Sequence, residues 1–163
     1  MPPQEKWQMT GSGPEAYERH LVPAIFAPWA TVLLELARLQ PGERVLDAAC
    51  GTGVVARAAT SRVGAAGTVT GVDLNPGMLD VARAVSGEAG QAIAWREGDL
   101  AALPFADGAF DVVLCQQGLQ FFPDCLAALQ EMRRVLVPGG QLGGMPLRTI
   151  RILRRLATRW SAM

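Results

Sequence analysis

The sequence is poor in the side chains that most catalytic and metal centres use. Its 163 residues include one histidine, one tyrosine and three cysteines, and 18% of the residues are charged. The cysteines (Cys50, Cys115 and Cys125) have neither the spacing of a metal site nor that of a disulfide framework. We therefore expect three buried apolar cysteines in a reducing cytosol, and a cytoplasmic protein. The single histidine, His20, is expected on a helix surface rather than as a catalytic base.

Charge and hydropathy exclude further classes of partner. The formal net charge is zero, so no field of the whole protein favours nucleic acid or a membrane surface. The polar N-terminus, residues 1–10, lacks the apolar region of a secretory signal. The apolar neighbourhood at 21–34 is interrupted by Pro23 and Pro28 and is short for a bilayer. We expect no transmembrane segment and no nucleic-acid partner.

The most informative stretch runs from Arg44 to Ala56. A short apolar run ends in an acid, Asp47, continues through small residues and leaves as an Ala-rich helical pattern. This order predicts a strand, a tight loop and a helix N-terminus. Gly51 and Gly53 have no side chain to keep a ligand away from the backbone. The pattern is typical of a nucleotide-type site at the carboxyl end of the first strand of an α/β protein.

The other elements predict an α/β fold around this strand. Strands are expected at 45–48, 68–73, 92–97, 110–115 and from 141 onward, with helices between them. Before the first strand, one helix is expected to start at Pro14 and a second after Pro28. The second should bury Trp29, Val32, Leu33, Leu36 and Leu39. This order predicts a Rossmann-like, doubly wound, mostly parallel sheet with helices on both faces. We divide the chain into a lead-in (1–13), a core (14–143) and a basic tail (144–163).

Two ligand classes fit the glycine loop. Gly51, Gly53 and Ala56 satisfy the G-x-G-x-x-A pattern, and Asp73 lies where a dinucleotide enzyme keeps its ribose-binding acid. An oxidoreductase domain that binds NAD(P) or FAD is therefore one interpretation. Against it, a pyrophosphate over the loop would face the carboxylate of Asp47, and like charges at short range are costly.

Three acids at neighbouring strand ends favour a different ligand. Asp47, Asp73 and Asp99 lie at the carboxyl ends of three neighbouring predicted strands, and together they suit a cationic, ribose-bearing ligand without phosphate. S-adenosylmethionine is such a ligand. Two of the acids also have a structural alternative: Asp47 could be satisfied by local N–H groups, and Asp99 could be a turn residue.

Four segments resemble a known family. Val45 to Gly53 resembles motif I of the class I S-adenosylmethionine-dependent methyltransferases, and Gly71 to Leu79 resembles their second motif. Gly98 to Phe105 with Phe110 to Val113 is similar to the third and fourth, and Leu136 to Gly140 matches the turn before strand five. The chain is most similar to small-molecule methyltransferases of the ubiquinone and menaquinone biosynthesis type.

The resemblance implies a cofactor site and an activity. The resemblance implies that the methionine end of S-adenosylmethionine binds at Asp47, Ala49, Cys50, Gly51, Thr52 and Gly53. The ribose would bind at Asp73, and the adenine at Leu74, Met78, Gly98, Asp99 and Leu100. Gln116 would lie near the sulfur, and Tyr17 above the cofactor. The implied reaction is in-line methyl transfer to a small-molecule acceptor, with no metal. The sequence shows no nucleophile–base pair, and no catalytic residue is assigned.

The chain departs from the family at two places. Ala49 stands where many relatives carry the first glycine, so we expect the loop to adopt a conformation that alanine tolerates. The tail has five basic residues, all arginine, and a helical apolar spacing from Leu147 to Trp160. It would replace the final antiparallel hairpin, which we expect to be absent, and expose strand five as an edge for homodimers.

The tail also leaves two alternatives open. It is either a basic amphipathic helix for an acidic partner or membrane surface, or the end of a truncated or out-of-frame chain, which we favour. The chain would then be either an active enzyme or an inactive remnant that only binds the cofactor.

Overall fold

The computed structural model describes residues 9–87, 93–145 and 151–153. The helices are α1 (Gly13–Ala16), a π-helical segment (Tyr17–Phe26), α2 (Ala27–Ala37), α3 (Val54–Val63), α4 (Pro76–Ser86), a 3-10 turn (Leu119–Phe121) and α5 (Cys125–Arg134). The strands are β1 (Arg44–Ala48), β2 (Thr68–Asp73), β3 (Ile93–Glu97), β4 (Phe110–Gln116), β5 (Leu136–Met145) and β6 (Arg151–Leu153).

The six strands form one sheet in the order β3-β2-β1-β4-β5-β6. The first five are parallel, which confirms the predicted doubly wound fold. Alternate residues of β1 face opposite apolar clusters: Val45 packs with α2 and α3, and Leu46 with α5. Because the strand order reverses on either side of β1, a crevice opens at its carboxyl end, where the glycine loop begins.

The N-terminal helical region differs from its prediction. It runs without a break from Gly13 to Ala37, through Pro23 and Pro28. Proline removes an N–H donor and crowds the preceding turn. The wider π-helical winding around Pro23 relieves that crowding. The two predicted helices are therefore one helical stretch.

The buried face of this stretch was also predicted imperfectly. Leu33 is buried as expected, together with Ala30, Leu34 and Ala37, but Trp29 and Leu36 are each 42% exposed. By length and composition alone the 25-residue stretch is apolar enough to cross a membrane, a test that a core helix also passes. The expectation that its prolines would interrupt it is wrong.

The boundary between α5 and β5 lies earlier than predicted. We expected the helix to include Leu136 and the turn at 138–140 to separate it from the strand. Instead, α5 ends at Arg134 and Leu136 already pairs with Phe110. Gln141 pairs with Val112, so residues 137–140 form an irregularity inside β5. The Pro-Gly-Gly sequence is accommodated as a bulge rather than as a connection.

The sheet does not end at β5, contrary to the expectation that the final antiparallel pairing would be absent. β6 pairs antiparallel with β5, from Leu142 opposite Leu153 to Gly144 opposite Arg151. The helix predicted across the tail is therefore wrong at Arg151–Leu153. The rest of that prediction, residues 146–150 and 154–163, lies outside the described residues.

Candidate functional site

The loop between β1 and α3 has three residues with left-handed backbone conformation. Ala49, Gly51 and Gly53 have φ of 56°, 55° and 83°. Glycine adopts such values without strain, whereas an L-residue pays about 1 kcal/mol. The loop therefore does not adopt a conformation that suits alanine, contrary to that expectation: Ala49 takes the conformation that a glycine would take, and carries the strain.

Gly53 also makes room for an aromatic ring. A Cβ on Gly53 would lie 2.2 Å from Cη2 of Trp95, and a Cβ on Gly71 would lie 2.4 Å from its Cζ3. Trp95 on β3 therefore packs directly against the loop and β2. The two glycines of the loop thus have different tasks. Gly53 permits this packing, while Gly51 lies beneath the ring of Tyr17.

Asp47 is the next-to-last residue of β1 and lies under the loop. Its side chain is 1% exposed, and its Oδ2 accepts a hydrogen bond from the backbone N–H of Ala56 at 2.9 Å. Burial raises the pKa of Asp47 to about 7, and the nearby carboxylate of Asp73 adds to the rise. The structural alternative for Asp47, that local N–H groups satisfy its carboxylate, is therefore observed, because the donor is the N–H of Ala56 in the first turn of α3.

Asp73, at the end of β2, ties that strand to the loop. Its Oδ2 accepts from the Gly51 N–H at 2.8 Å, and its Oδ1 accepts from the Asn75 N–H at 2.9 Å. Burial raises the pKa of this carboxyl group, and the N–H donors oppose the rise. Asn75 in turn caps α4, its Oδ1 accepting from the N–H groups of Gly77 and Met78. Asp73 therefore belongs to both the loop and the site.

The segment after β3 brings in the next group of predicted residues. Asp99 Oδ1 accepts from the Ala101 N–H at 2.9 Å, which is the turn geometry given as the alternative for this residue. Gly98 donates to the carbonyl of Asp73 at 3.0 Å, so the ends of β2 and β3 are joined. Leu100 is 1% exposed and belongs to the apolar cluster that contains α5. Leu74 is half-buried, at the end of β2.

The π-helical segment covers the loop from above. A Cβ on Gly51 would lie 3.6 Å from the Tyr17 hydroxyl oxygen. The Tyr17 ring stacks on Phe26 with centroids 4.9 Å apart, and the Phe26 carbonyl accepts from Gln116 Nε2 at 2.9 Å. Burial, followed by Asp73 and Asp47, raises the pKa of Tyr17. Tyr17 and Gln116, which lie about a hundred residues apart in the sequence, thus meet at the same end of the sheet.

Two buried polar atoms at the site have no hydrogen-bond partner among the described residues. They are the Thr52 hydroxyl and Gln116 Oε1. Unpaired polar atoms of this kind are costly unless a ligand or water satisfies them. Cys50, 6% exposed beside them, has a thiol pKa raised by burial, so its reactivity is low. The site thus offers unused hydrogen-bonding capacity but no activated nucleophile among these residues.

Two residues near the site were missed from the sequence. Arg57 on α3 donates to the Thr52 carbonyl and, through Nη2, to Glu18 Oε1 at 2.8 Å. An arginine close to the positive end of a helix is unfavourable unless it is used, and that placement was the available signal. Within the described residues, no group of three or more His, Cys, Asp or Glu side chains could hold a metal ion.

Comparison with known proteins gives the same assignment. A family model described as a methyltransferase domain matches residues 45–140. An uncharacterized protein of Mycobacterium tuberculosis is 40% identical over 119 residues, which cover 73% of this chain and 42% of that protein. A demethylmenaquinone methyltransferase of Staphylococcus epidermidis is 37% identical over 127 residues, covering 78% of this chain and 50% of the relative. The chain thus spans half or less of the length of these relatives.

A solved structure agrees with the fold. The S-adenosylmethionine-dependent methyltransferase of Aquifex aeolicus superposes with a TM-score of 0.72 at 21% identity, covering 82% of this chain and 72% of that one. At this identity the likeness shows the shared fold only. The family model, in contrast, covers more than half of the chain and includes the glycine loop, Asp73 and Asp99. The chain therefore belongs to the methyltransferase domain family and, by the motifs described above, to the class I S-adenosylmethionine-dependent methyltransferases.

Proposed function

We propose that the chain binds S-adenosylmethionine at the glycine loop and transfers its methyl group to a small-molecule acceptor. One observation carries the choice of ligand. The backbone N–H groups of Gly51 and Ala56, which a diphosphate would need, already donate to Asp73 and Asp47. A cationic nucleoside instead gains from two carboxylates at this position.

The residues fit such a ligand from end to end. We assign the methionine end to the backbone of residues 49–53, beneath Tyr17, where the Thr52 hydroxyl and Gln116 Oε1 lack partners among the described residues. Asp73 is assigned to the ribose hydroxyls. The adenine is assigned to Leu74, Met78 and the 98–100 segment, which closes around the ends of β2 and β3. When bound, this cofactor supplies a methyl carbon that the sulfonium already activates.

The chain's own task is then positioning and exclusion of water. In-line displacement at an activated carbon depends mainly on the alignment of the two reactants. A base is needed only if the acceptor must lose a proton. His20 is exposed on the π-helical segment and does not serve as one. We assign no catalytic base.

Calorimetric titration with S-adenosylhomocysteine tests the ligand assignment. Asp73→Ala should weaken binding roughly tenfold to a hundredfold, because it removes a charged acceptor of hydrogen bonds. Asp80→Ala is the matched control: its carboxylate is 76% exposed on α4 and pairs with Arg83. Unchanged affinity in Asp73→Ala, or an equal loss in the control, would refute the assignment.

The oxidoreductase alternative keeps one supporting feature, the G-x-G-x-x-A pattern with Asp73 at the end of β2. The inactive-remnant alternative, in which the chain binds the cofactor without turnover, remains a second candidate. A panel of aromatic, carboxylate and amine acceptors with methyl-labelled cofactor distinguishes the latter. Binding without turnover on any acceptor would favour the remnant, and any turnover would favour the enzyme.

Two further proposals concern the environment of the protein. Cytoplasmic location is supported by Cys50, Cys115 and Cys125, which are free thiols in the structure. Cys50 and Cys115 are buried as expected, whereas Cys125 is exposed, so the expectation of three buried cysteines is wrong for Cys125. Homodimers through the sheet edge were expected from a bare β5, but β6 covers part of that edge. Pairing between copies would now involve β6 (Arg151–Leu153). Light scattering across a concentration series measures whether the dimer forms.

A further inference from the structure

Arg57 joins two parts of the molecule that are distant in sequence. Its Nη1 donates to the carbonyl of Thr52, between the two glycines of the loop. Its Nη2 donates to Oε1 of Glu18 at 2.8 Å. The side chains of this pair are 24% and 20% exposed, against 44% and 31% for the surface pair of Arg44 and Asp111. The pair is therefore the better shielded of the two, and its electrostatic attraction is less screened by solvent.

Glu18 follows Tyr17 directly, so a tie to Glu18 also fixes Tyr17. Tyr17 lies over Gly51, and at the other end of the π-helical segment the carbonyl of Phe26 accepts from Gln116. The segment is thus attached to the site at both ends, to the loop through Arg57 and to the end of β4 through Gln116. A π-helical stretch that contains Pro23 lacks one internal donor and depends more strongly on such outside ties.

We propose that Arg57 and Glu18 are positioning residues that hold Tyr17 closed over the cofactor loop and set how long the bound cofactor is retained. This inference rests on the proposed function for the identity of the ligand. Arg57 touches neither reacting atom; it acts through the Thr52 carbonyl on one side and through Glu18 and Tyr17 on the other.

The fork of the guanidinium explains why arginine is required. One group must donate in two directions, to a backbone carbonyl and to a carboxylate, and a lysine ammonium is a point donor on a flexible stem. Glu18 Oε2 has no hydrogen-bond partner among the described residues. The attraction of Glu18 to Arg57 therefore depends on one contact, and loss of that contact leaves the carboxylate shielded and unpaired.

Two measurements on Arg57→Met, Arg57→Lys and Glu18→Gln test the proposal. Without ligand, hydrogen exchange of the amides in Tyr17–Phe26 should accelerate roughly tenfold in Arg57→Met. With ligand, release of labelled S-adenosylhomocysteine should accelerate by a similar factor, while the association rate changes little. Arg57→Lys should fall between wild type and Arg57→Met. The double variant Glu18→Gln/Arg57→Met should exchange amides and release ligand no faster than Arg57→Met, because both substitutions break the same hydrogen bond between Arg57 and Glu18.

Arg44→Met is the matched control, since it removes an ion pair at the start of β1, away from the loop. It should leave both exchange in Tyr17–Phe26 and ligand release at wild-type values. Wild-type release rates in Arg57→Met and Glu18→Gln, or equal acceleration in Arg44→Met, would overturn the inference while leaving the proposed function intact. Failure of the wild-type chain to retain S-adenosylhomocysteine would overturn both.

Discussion

The carboxylate of Asp47 offers the sharpest test of the site's electrostatics. It is fully buried, and its pKa is raised from 3.8 to about 7. Between these two values the unfolded chain has lost the proton that the folded chain still holds, so the free energy of unfolding falls as pH rises. The full effect is roughly 4 kcal/mol, at about 1.4 kcal/mol for each pKa unit. That is a large share of the roughly 5–15 kcal/mol of a typical domain.

Urea denaturation at pH 5 and pH 8 measures the effect. Over about two pH units of this interval, Asp47 is protonated in the folded chain and ionised in the unfolded chain. Asp47 alone should therefore lower the wild-type free energy of unfolding by roughly 3 kcal/mol between the two measurements. Asp47→Asn keeps an oxygen that can accept from the Ala56 N–H but cannot ionise. Its pH dependence should be smaller by that amount, whatever constant cost the buried amide adds.

The comparison of slopes removes contributions from other groups. Asp73, whose pKa is also raised, remains in both proteins. Asp80→Asn, which removes an exposed carboxylate of α4, serves as a control and should keep the wild-type slope. Identical pH dependence in wild type and Asp47→Asn would mean that Asp47 is ionised in the folded protein at little cost. That result would contradict the raised pKa of the buried Asp47 carboxyl group, while an ionised Asp47 would still attract a cationic ligand.

Three further substitutions test the loop and its supports. Ala49→Gly should raise the free energy of unfolding by about 1 kcal/mol, because it releases left-handed strain; no gain in urea unfolding would contradict the strain. Gly53→Ala should lower the free energy of unfolding by roughly 2–3 kcal/mol, because its methyl group would clash with Trp95. Urea unfolding and tryptophan emission measure the effect, and unchanged emission would argue against this packing. Arg134→Met should weaken S-adenosylhomocysteine binding, because it removes the hydrogen bond to the carbonyl of Leu103. Wild-type affinity would show that the segment containing Leu103 does not support the adenine site.

The strands and their order along the chain were predictable because buried parallel strands consist of short apolar runs. The apolar pattern predicted the bounds of β2, Thr68–Asp73, correctly. It predicted the start of β4 correctly and its end one residue before Gln116. Turn chemistry was less reliable. Pro138 and the two glycines after it are turn formers in isolation, yet pairing with β4 incorporates them into β5. Likewise Pro23 normally ends a helix, and here the chain continues by widening the winding around it.

The site was predictable as a set of strand-end positions but not as a set of contacts. That Asp73 ends β2 can be read from the sequence, and its bond from the Asn75 N–H is local; that its other oxygen accepts from Gly51 depends on the register of β1 and β2. Arg57 was missed because Glu18, its partner 39 residues away, meets it only after α3 packs beside the N-terminal helices. Local patterns do not contain such long-range contacts.

Parallel titrations of the purified chain with S-adenosylmethionine, NAD and FAD, at one pH and ionic strength, test the central claim most directly. The claim is that the loop N–H groups are occupied by the protein's own carboxylates, so that the site prefers a cationic nucleoside to a diphosphate. We predict binding heat for S-adenosylmethionine and none for NAD or FAD at the same concentration. Saturable binding of NAD or FAD without binding of S-adenosylmethionine would contradict the account.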